Sequence, residues 1–281
     1  MLVNTRQMLA NARKNQYAIP QPNVWDVNSI RAALKASKEV QSPVIIGLAQ
    51  AHLQYIGIEE VAMLANYYGN KFNVQYALHL DHGNDYHTII KAIKFGFSSV
   101  MIDASTLPYE ENVYLVKEIV KVAHACDVTV EAELGHVGSE NSNSEINGSS
   151  QSVLTEPDEA EDFVKQTNVD SLAIAIGTVH GKYRGKPNID IDRLEKIAKK
   201  VSIPLVLHGG SGTGENSLKK CIKLGISKIN ICTDLMVAAT EGIKESLKTT
   251  DNFGDINLVA EAAIKECLTK YYKMFNCLNR I

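Results

Sequence analysis

The 281-residue sequence contains no long apolar run and no strong charge of either sign. No segment approaches the ~18 apolar residues that a helix needs to span a bilayer, and residues 1–16 lack the apolar middle of a signal peptide. The formal net charge of −3 offers little electrostatic attraction for nucleic acid or for an anionic membrane. The sequence therefore predicts a soluble, cytoplasmic protein that binds neither membranes nor nucleic acid.

Paired cysteines and internal repeats are also missing. The five cysteines are odd in number and form no C-x-x-C pair, as is typical of reduced cytosolic thiols; they are Cys126, Cys221, Cys232, Cys267 and Cys277. No repeat, low-complexity tract or second compositional block divides the chain. Because an α/β barrel commonly fills roughly 250 residues as one domain, we expect a single domain over residues 1–281.

Eight short apolar runs, such as PVIIGLA and IPLVLHGG, alternate with amphipathic stretches. Continuous apolar runs are typical of parallel strands that are buried on both faces. We expect strands at 17–20, 43–49, 74–79, 98–103, 128–133, 171–176, 204–208 and 228–231. We expect helices at 28–38, 58–68, 85–95, 111–125, 158–167, 192–200, 216–224 and 235–247, and further helical segments at 1–16 and 257–281. The alternation favours an α/β fold, a (β/α)8 TIM barrel with an extra C-terminal helical segment, over an open doubly wound sheet.

Histidines and carboxylates collect at the carboxyl ends of the predicted strands, where barrel enzymes place their chemistry. His82, His180 and His208 follow three separate strands. Three imidazoles with one open position are typical of catalytic zinc, so we expect these residues to bind Zn²⁺. Asp103 and Glu133 end neighbouring strands and would either hold a second cation, divalent or monovalent, or orient the first set of ligands.

Asp81 precedes one predicted ligand without being needed as a ligand itself, so we interpret it as the catalytic acid/base. We expect His79 to face the opposite side of its strand from Asp81. The remaining histidines are interpreted, together with His79, as ordinary core or surface residues: His52, His87, His124 and His136.

Two loops are candidates for binding a phosphate group. Gly209-Gly210-Ser211-Gly212 follows the seventh strand, and residues 230–233 lead from the end of the eighth strand into the next helix. Backbone N–H groups at helix starts bind anions without any net positive charge, and these two loops form the usual phosphate site of a barrel. Each loop alone is equally typical of a tight turn. Arg184 would add positive charge.

Six segments occur in order along nearly the whole chain: HLDHG (79–83), VMIDAS (100–105), EAELG (131–135), GTVHG (177–181), LVLHGGSG (205–212) and KINICT (228–233). With them the sequence resembles the class II, zinc-dependent ketose-bisphosphate aldolases, which include the fructose- and tagatose-bisphosphate enzymes. The resemblance implies cleavage of a ketose of the fructose- or tagatose-1,6-bisphosphate type to dihydroxyacetone phosphate and an aldehyde. It also implies the metal and proton-transfer roles given above, and a homodimer or homotetramer. The residues implied to bind dihydroxyacetone phosphate are Gly181, Arg184, Gly209, Gly210, Ser211, Asn230, Ile231, Cys232 and Thr233.

The sequence departs from this family where the family contacts the second phosphate. Pro20 stands where the family usually has asparagine, Ala49 stands where it has serine or threonine, and an arginine of the C-terminal segment has no counterpart. The polar loop 138–151, interpreted as a mobile lid rather than a linker, displaces a loop acid unless Glu140 replaces it. We therefore hypothesise a ketose 1-phosphate whose aldehyde half lacks phosphate. The alternative hypothesis is that the substrate is a bisphosphate and that other residues of the chain contact its second phosphate.

Three further function classes share some of these features. A non-catalytic barrel that binds metal and phosphate would explain the displaced loop acid but not the retained Asp81. A zinc hydrolase would not need the phosphate loops. An isomerase would not need three histidine ligands.

Overall fold

The computed structural model describes residues 1–138, 152–183, 185 and 187–280. Its eight strands form one parallel sheet in which β2 to β8 pair in chain order and β1 pairs with β8. The Val24 N–H donates to the Gly47 carbonyl at 2.9 Å and joins the two remaining edges. The strands are β1 (Ile19–Pro22), β2 (Val44–Ala49), β3 (Tyr76–Gly83), β4 (Ser99–Ile102), β5 (Thr129–Leu134), β6 (Ser171–Ile174), β7 (Leu205–Leu207) and β8 (Ile226–Ile231). The predicted (β/α)8 barrel is confirmed.

A helix follows each strand, and two more helices flank the barrel. The helices are α1 (Thr5–Lys14), α2 (Val27–Val40), α3 (Ile58–Phe72), α4 (Tyr86–Lys94), α5 (Tyr109–Ala125), α6 (Pro157–Thr167), α7 (Ile191–Lys200), α8 (Glu215–Lys223), α9 (Thr233–Ser246) and α10 (Phe253–Met274). A short 3₁₀ helix, Gln50–Gln54, lies between β2 and α3. Within the described ranges, no helix is both long enough and apolar enough to cross a membrane.

Several helices begin at side-chain caps on the carboxyl side of the barrel. Asp26 accepts a hydrogen bond from the Ser29 N–H at 2.7 Å, and Asp85 accepts one from the Thr88 N–H at 2.8 Å. Each cap satisfies a backbone donor that the first helical turn cannot pair internally. The caps therefore fix where α2 and α4 begin, and with them the short loops that form the rim.

The interior of the barrel is polar near its carboxyl end. Residues two apart in a strand share a face, so His79 and Asp81 of β3 both point inward. His79 is fully buried, and its Nδ1 lies 2.8 Å from the Ser99 Oγ. The prediction that His79 faces the opposite side from Asp81 was wrong, because the two residues are separated by a full period of the strand.

Candidate active site

His82 reaches the centre of the rim through an irregularity in β3. The register between β3 and β4 shifts between Leu80 and Gly83, and His82 has a φ of +49°. This left-handed conformation is uncommon for a residue with a side chain. In a regular strand, Asp81 and His82 would face opposite sides. The bulge breaks that alternation, so both side chains face the same site.

The three predicted zinc ligands lie together. The ring centroid of His82 is 4.6 Å from that of His208 and 5.0 Å from that of His180. The ring centroids of His180 and His208 are 5.8 Å apart. One ring nitrogen from each residue lies within 4.8 Å of the others. His82, Asp103 and Glu133 form a second, overlapping group within the same limit. The structure therefore brings together all five residues that the sequence assigned to metal.

Carboxylates fix the orientation of two of the rings. The Nδ1 of His82 lies 2.7 Å from the Asp103 Oδ2, and the Nε2 of His208 lies 3.0 Å from the Glu131 Oε1. A carboxylate accepts hydrogen bonds, so these nitrogens carry the protons. The other nitrogens, Nε2 of His82 and Nδ1 of His208, face each other at 2.9 Å. Both nitrogens thus point into the cluster, where loss of the proton between them would leave each one able to ligate a metal.

Two buried polar atoms at the cluster have no hydrogen-bond partner among the described residues. They are the Nε2 of His180 and the Oε2 of Glu133. An unpaired buried polar atom costs free energy unless another group satisfies it. Imidazole nitrogen and carboxylate oxygen are both ligands of Zn²⁺. The residues present therefore fit a divalent cation.

The electrostatic potential at the cluster favours such a cation. Burial lowers the pKa of His82, but the carboxylates of Asp81 and Asp103 outweigh burial and raise it to about 10. Burial first, and then Asp103, raise the pKa of Glu133 to about 8. Burial first, and then His82, lower the pKa of His180 to about 3, which keeps that imidazole neutral. The raised pKa values of His82 and Glu133 show that these groups bind protons strongly. The electrostatic potential at the cluster is therefore negative and attracts a cation.

Asp81 is buried and held from two sides. The Asn23 side-chain amide donates to its Oδ2 at 2.7 Å, and the Asn230 amide donates to its Oδ1 at 2.9 Å. Burial alone would raise the pKa of Asp81, but the neighbouring histidines, His82 first, hold it well below its ordinary value. The carboxyl group is therefore ionised, which is the form that a general base requires.

Sequence reasoning missed Asn23. It lies just after β1. Its presence bears on the prediction that the site lacks an asparagine because Pro20 occupies that position. An asparagine does lie on this strand's carboxyl side, three residues beyond Pro20, and it contacts Asp81. The site therefore has not lost an amide there. Site residues were expected at the carboxyl end of each predicted strand. Asn23 was missed because it lies three residues beyond the strand predicted at 17–20.

Sequence reasoning also missed a buried ion pair below the rim. The Lys228 Nζ donates to the Glu131 Oε1 and to the Asn230 Oδ1, both at 2.9 Å. Lys228 is fully buried. The pair connects His208, through Glu131, with Asp81, through Asn230. The motifs E-A-E and K-I-N have the period of two that places their outer residues on one face, and this was the available signal.

The two predicted phosphate loops lie side by side. The Gly210 N–H donates to the Asn230 carbonyl at 3.1 Å, and the Asp234 N–H donates to the Ser211 Oγ at 3.2 Å. Gly209 has a φ of +67°, and a Cβ there would collide with the Val179 backbone, so only glycine fits. The Tyr183 hydroxyl, which sequence reasoning missed, donates to the Gly209 carbonyl at 3.1 Å.

The other predicted substrate-binding residues differ in which of their atoms are available to a ligand. Thr233 begins α9, and Cys232 is its N-cap without a side-chain hydrogen bond to the helix. Ile231 is fully buried, so only its backbone is available to a ligand. Gly181 lies in the loop after β6 with a φ of +95°. Three predictions fall outside the described residues. They concern Arg184, Glu140 and the loop 138–151, of which only Gly138 is described.

The chain is similar to known aldolases in sequence and in fold. A profile of the family described as fructose-bisphosphate aldolase class-II matches residues 3–280. The YdjI aldolase from Escherichia coli K12 has 34% identity and a TM-score of 0.89, and the match covers 99% of this chain and 98% of that chain. A putative fructose-1,6-biphosphate aldolase from Coccidioides immitis has 28% identity and a TM-score of 0.88, with 97% and 96% covered. The fructose-bisphosphate aldolase (Fba) from Campylobacter jejuni, at 24% identity, shares the fold with a TM-score of 0.85 over 100% and 97% of the two chains.

Proposed function

The chain belongs to the class-II fructose-bisphosphate aldolase family and is an aldolase, and we propose that it carries out metal-dependent retro-aldol cleavage of a ketose 1-phosphate. The products are dihydroxyacetone phosphate and an aldehyde without phosphate. The observation that carries this proposal is the convergence of three imidazoles beside a doubly hydrogen-bonded Asp81.

We assign His82, His180 and His208 to a catalytic Zn²⁺. Asp103 and Glu133 either orient this set or hold a second cation, divalent or monovalent. A zinc ion held by these residues would act as a Lewis acid that polarises the C2 carbonyl of the substrate. The support is the donor set itself and the two buried atoms, on His180 and Glu133, that lack hydrogen-bond partners.

The chain's own residues account for proton transfer at the C4 oxygen and for phosphate binding. In cleavage, Asp81 accepts the proton of the C4 hydroxyl, and C3 takes a proton from water to complete dihydroxyacetone phosphate. In condensation, C3 loses a proton to water and Asp81 returns one to the aldehyde oxygen. Asn23 and Asn230 keep its carboxylate in one orientation. The C1 phosphate binds at the backbone N–H groups of the loops after β7 and β8, where α9 begins. Gly181, Arg184, Gly209, Gly210, Ser211, Asn230, Ile231, Cys232 and Thr233 form this half of the proposed site.

The distribution of basic residues favours a substrate with one phosphate. Of the eight loops that follow the strands, only residues 175–190 contain lysine or arginine, namely Lys182, Arg184 and Lys186. A ketose bisphosphate carries dianionic groups at both ends and needs two separate anion sites. The loops after β1, β2, β3 and β4 contain no lysine or arginine, so a second phosphate there would have to bind through backbone N–H groups alone, without the basic residues that lie near the first. This observation supports an aldehyde half without phosphate.

A comparison of two substrates tests the proposal. We expect kcat/KM for cleavage of fructose 1-phosphate to equal or exceed that for fructose 1,6-bisphosphate, measured as dihydroxyacetone phosphate release by the zinc-loaded enzyme. A strong preference for the bisphosphate would reject the single-phosphate substrate. The non-catalytic alternative predicts no release at all, whereas catalysis by Asp81 predicts release that Asp81→Ala abolishes.

We also propose that residues 1–281 form one domain and that the protein works in the cytoplasm as a homodimer or homotetramer. The five free thiols support a reducing compartment. Light scattering on the purified protein tests the assembly, and a monomer would contradict it.

A further inference from the structure

The part of the rim around β1 and β2 has no assigned role. The phosphate loops occupy the side of β7 and β8, and the predicted metal ligands come from β3, β6 and β7. Asp81, the proposed acceptor of the C4 proton, contacts Asn230 of β8 and Asn23 at the end of β1. The carbons beyond C4 must therefore leave the metal past Asp81. On that side lie the carboxyl ends of β1, where Asn23 donates to Asp81, and of β2, where Ala49 pairs with Asp81.

His52 lies in this direction. It belongs to the 3₁₀ helix that follows β2, and Ala49 at the end of β2 pairs with Asp81. Its Nδ1 is 3.0 Å from the Val24 carbonyl, next to Asn23. Its Nε2 is 3.9 Å from the Cys232 Sγ, two residues beyond Asn230. The imidazole thus touches the neighbours of both amides that hold Asp81.

The contacts of His52 fix its tautomer. A carbonyl only accepts hydrogen bonds, so the nitrogen that faces Val24 carries the proton. With that proton on Nδ1, Nε2 is the ring nitrogen that can accept a hydrogen bond. Burial raises the pKa of the Cys232 thiol to about 12, so this thiol stays protonated and faces the nitrogen as a weak donor. An acceptor nitrogen suits a hydroxyl group and does not suit a phosphate, which also only accepts.

Aromatic rings flank this acceptor. The half-buried Trp25 ring lies edge-on to His52 with centroids 6.4 Å apart, and the Tyr55 ring is tilted by 56° to His52 with centroids 5.9 Å apart. Tyr55 is 62% exposed, which leaves its ring open to solvent and ligands. Apolar faces with a single polar group fit a carbon chain that carries hydroxyls.

We infer that His52 is a specificity-determining residue that accepts a hydrogen bond from a hydroxyl on one of the two carbons beyond C4, between the rings of Trp25 and Tyr55. The aldehyde released is therefore a neutral hydroxyaldehyde. This inference rests on the proposed function and names the group that the aldehyde half must carry.

The condensation reaction provides the test, since the aldehyde is then a free choice. We expect the zinc-loaded enzyme to prefer glyceraldehyde over its deoxy analogue propanal in kcat/KM with dihydroxyacetone phosphate. In His52→Asn, the amide nitrogen can still reach the Val24 carbonyl, but the acceptor at the position of Nε2 is lost. The preference ratio should fall about tenfold, the worth of one hydrogen bond.

Two further variants separate the acceptor from ring packing. His52→Gln places an amide oxygen near the position of Nε2 and should recover part of the ratio. His87→Asn removes an exposed histidine of α4 and should keep the wild-type ratio. An unchanged ratio in His52→Asn would overturn the inference. A loss that His52→Gln does not repair would assign the effect to packing and would overturn the acceptor role.

A second measurement distinguishes this inference from the proposed function. An aldolase exchanges a C3 proton of dihydroxyacetone phosphate with D₂O without any aldehyde, and NMR detects that exchange. Absence of exchange in the wild type would reject the proposed function itself. Exchange in the wild type, together with equal ratios in the wild type and His52→Asn, would reject only the role of His52.

Discussion

The Glu131 carboxylate connects a predicted metal ligand, His208, with the buried Lys228. Its Oε1 accepts from the His208 Nε2 at 3.0 Å and from the Lys228 Nζ at 2.9 Å. All three side chains are almost completely buried. Burial would raise the pKa of Glu131, but Lys228 and then His208 outweigh it and lower the pKa to about 2. A permanent negative charge therefore orients His208 and strengthens it as a donor to a metal.

We predict that Glu131→Gln weakens zinc binding by about 10–100-fold, because the amide keeps the shape of the carboxylate but removes its charge. Competition with a fluorescent chelator measures the zinc Kd. Glu266→Gln is the matched control, since Glu266 forms an exposed ion pair with Lys270 on α10. A zinc Kd for Glu131→Gln equal to that of the control would show that Glu131 does not support His208.

The residues that the sequence could predict are those that end a strand. His180 and His208 were predictable because parallel strands bring their carboxyl ends to one rim. Lys228 and Glu131 were not predicted, because they lie two residues deeper and their chemistry depends on partners from other strands. The inward orientation of His79 was misjudged for the same reason: the strand ends were considered and the period of two below them was not.

At the scale of elements, the alternation of apolar runs and amphipathic stretches was enough to predict all eight strand–helix units. The boundaries were less accurate where tertiary contacts decide them. β1 was expected at 17–20 but runs over Ile19–Pro22, because the Tyr17 and Ala18 N–H groups donate to the Ala12 and Phe275 carbonyls instead of to a strand. Contacts with α1 and α10 are long-range, and no local pattern encodes them.

The packing of α3 on β3 depends on a glycine in the last turn of the helix. A Cβ at Gly69 would collide with the ring of Tyr76, which is fully buried. The ring cannot move aside easily, because its hydroxyl donates to the Asn66 Oδ1 at 2.6 Å. Helix propensity therefore conflicts with packing at this position.

We predict that Gly69→Ala lowers the free energy of unfolding by about 1–2 kcal/mol, because overpacking outweighs the helix propensity gained. Asn70→Ala changes the next, exposed position of the same helix and should leave the free energy of unfolding unchanged or slightly higher. Denaturant unfolding of both variants measures the difference. If Gly69→Ala is as stable as Asn70→Ala, the contact with Tyr76 does not constrain the helix.

At the scale of the whole molecule, the rim divides into sectors with different chemistry. Imidazoles and carboxylates of β3 to β7 form the negative cluster, the loops after β7 and β8 present backbone N–H groups, and the side of β1 and β2 is neutral and aromatic. The basic residues of the rim loops are confined to residues 175–190. A substrate with an anionic end, a polarised centre and a neutral hydroxylated end matches this order.

The central claim is that one divalent ion, held by His82, His180 and His208, is required for aldol cleavage. Zinc titration of the metal-stripped enzyme tests it most directly, with dihydroxyacetone phosphate release from a ketose 1-phosphate as the readout. The account predicts no release before zinc is added and a rise that ends at one equivalent per chain. Full activity of the stripped enzyme would contradict it.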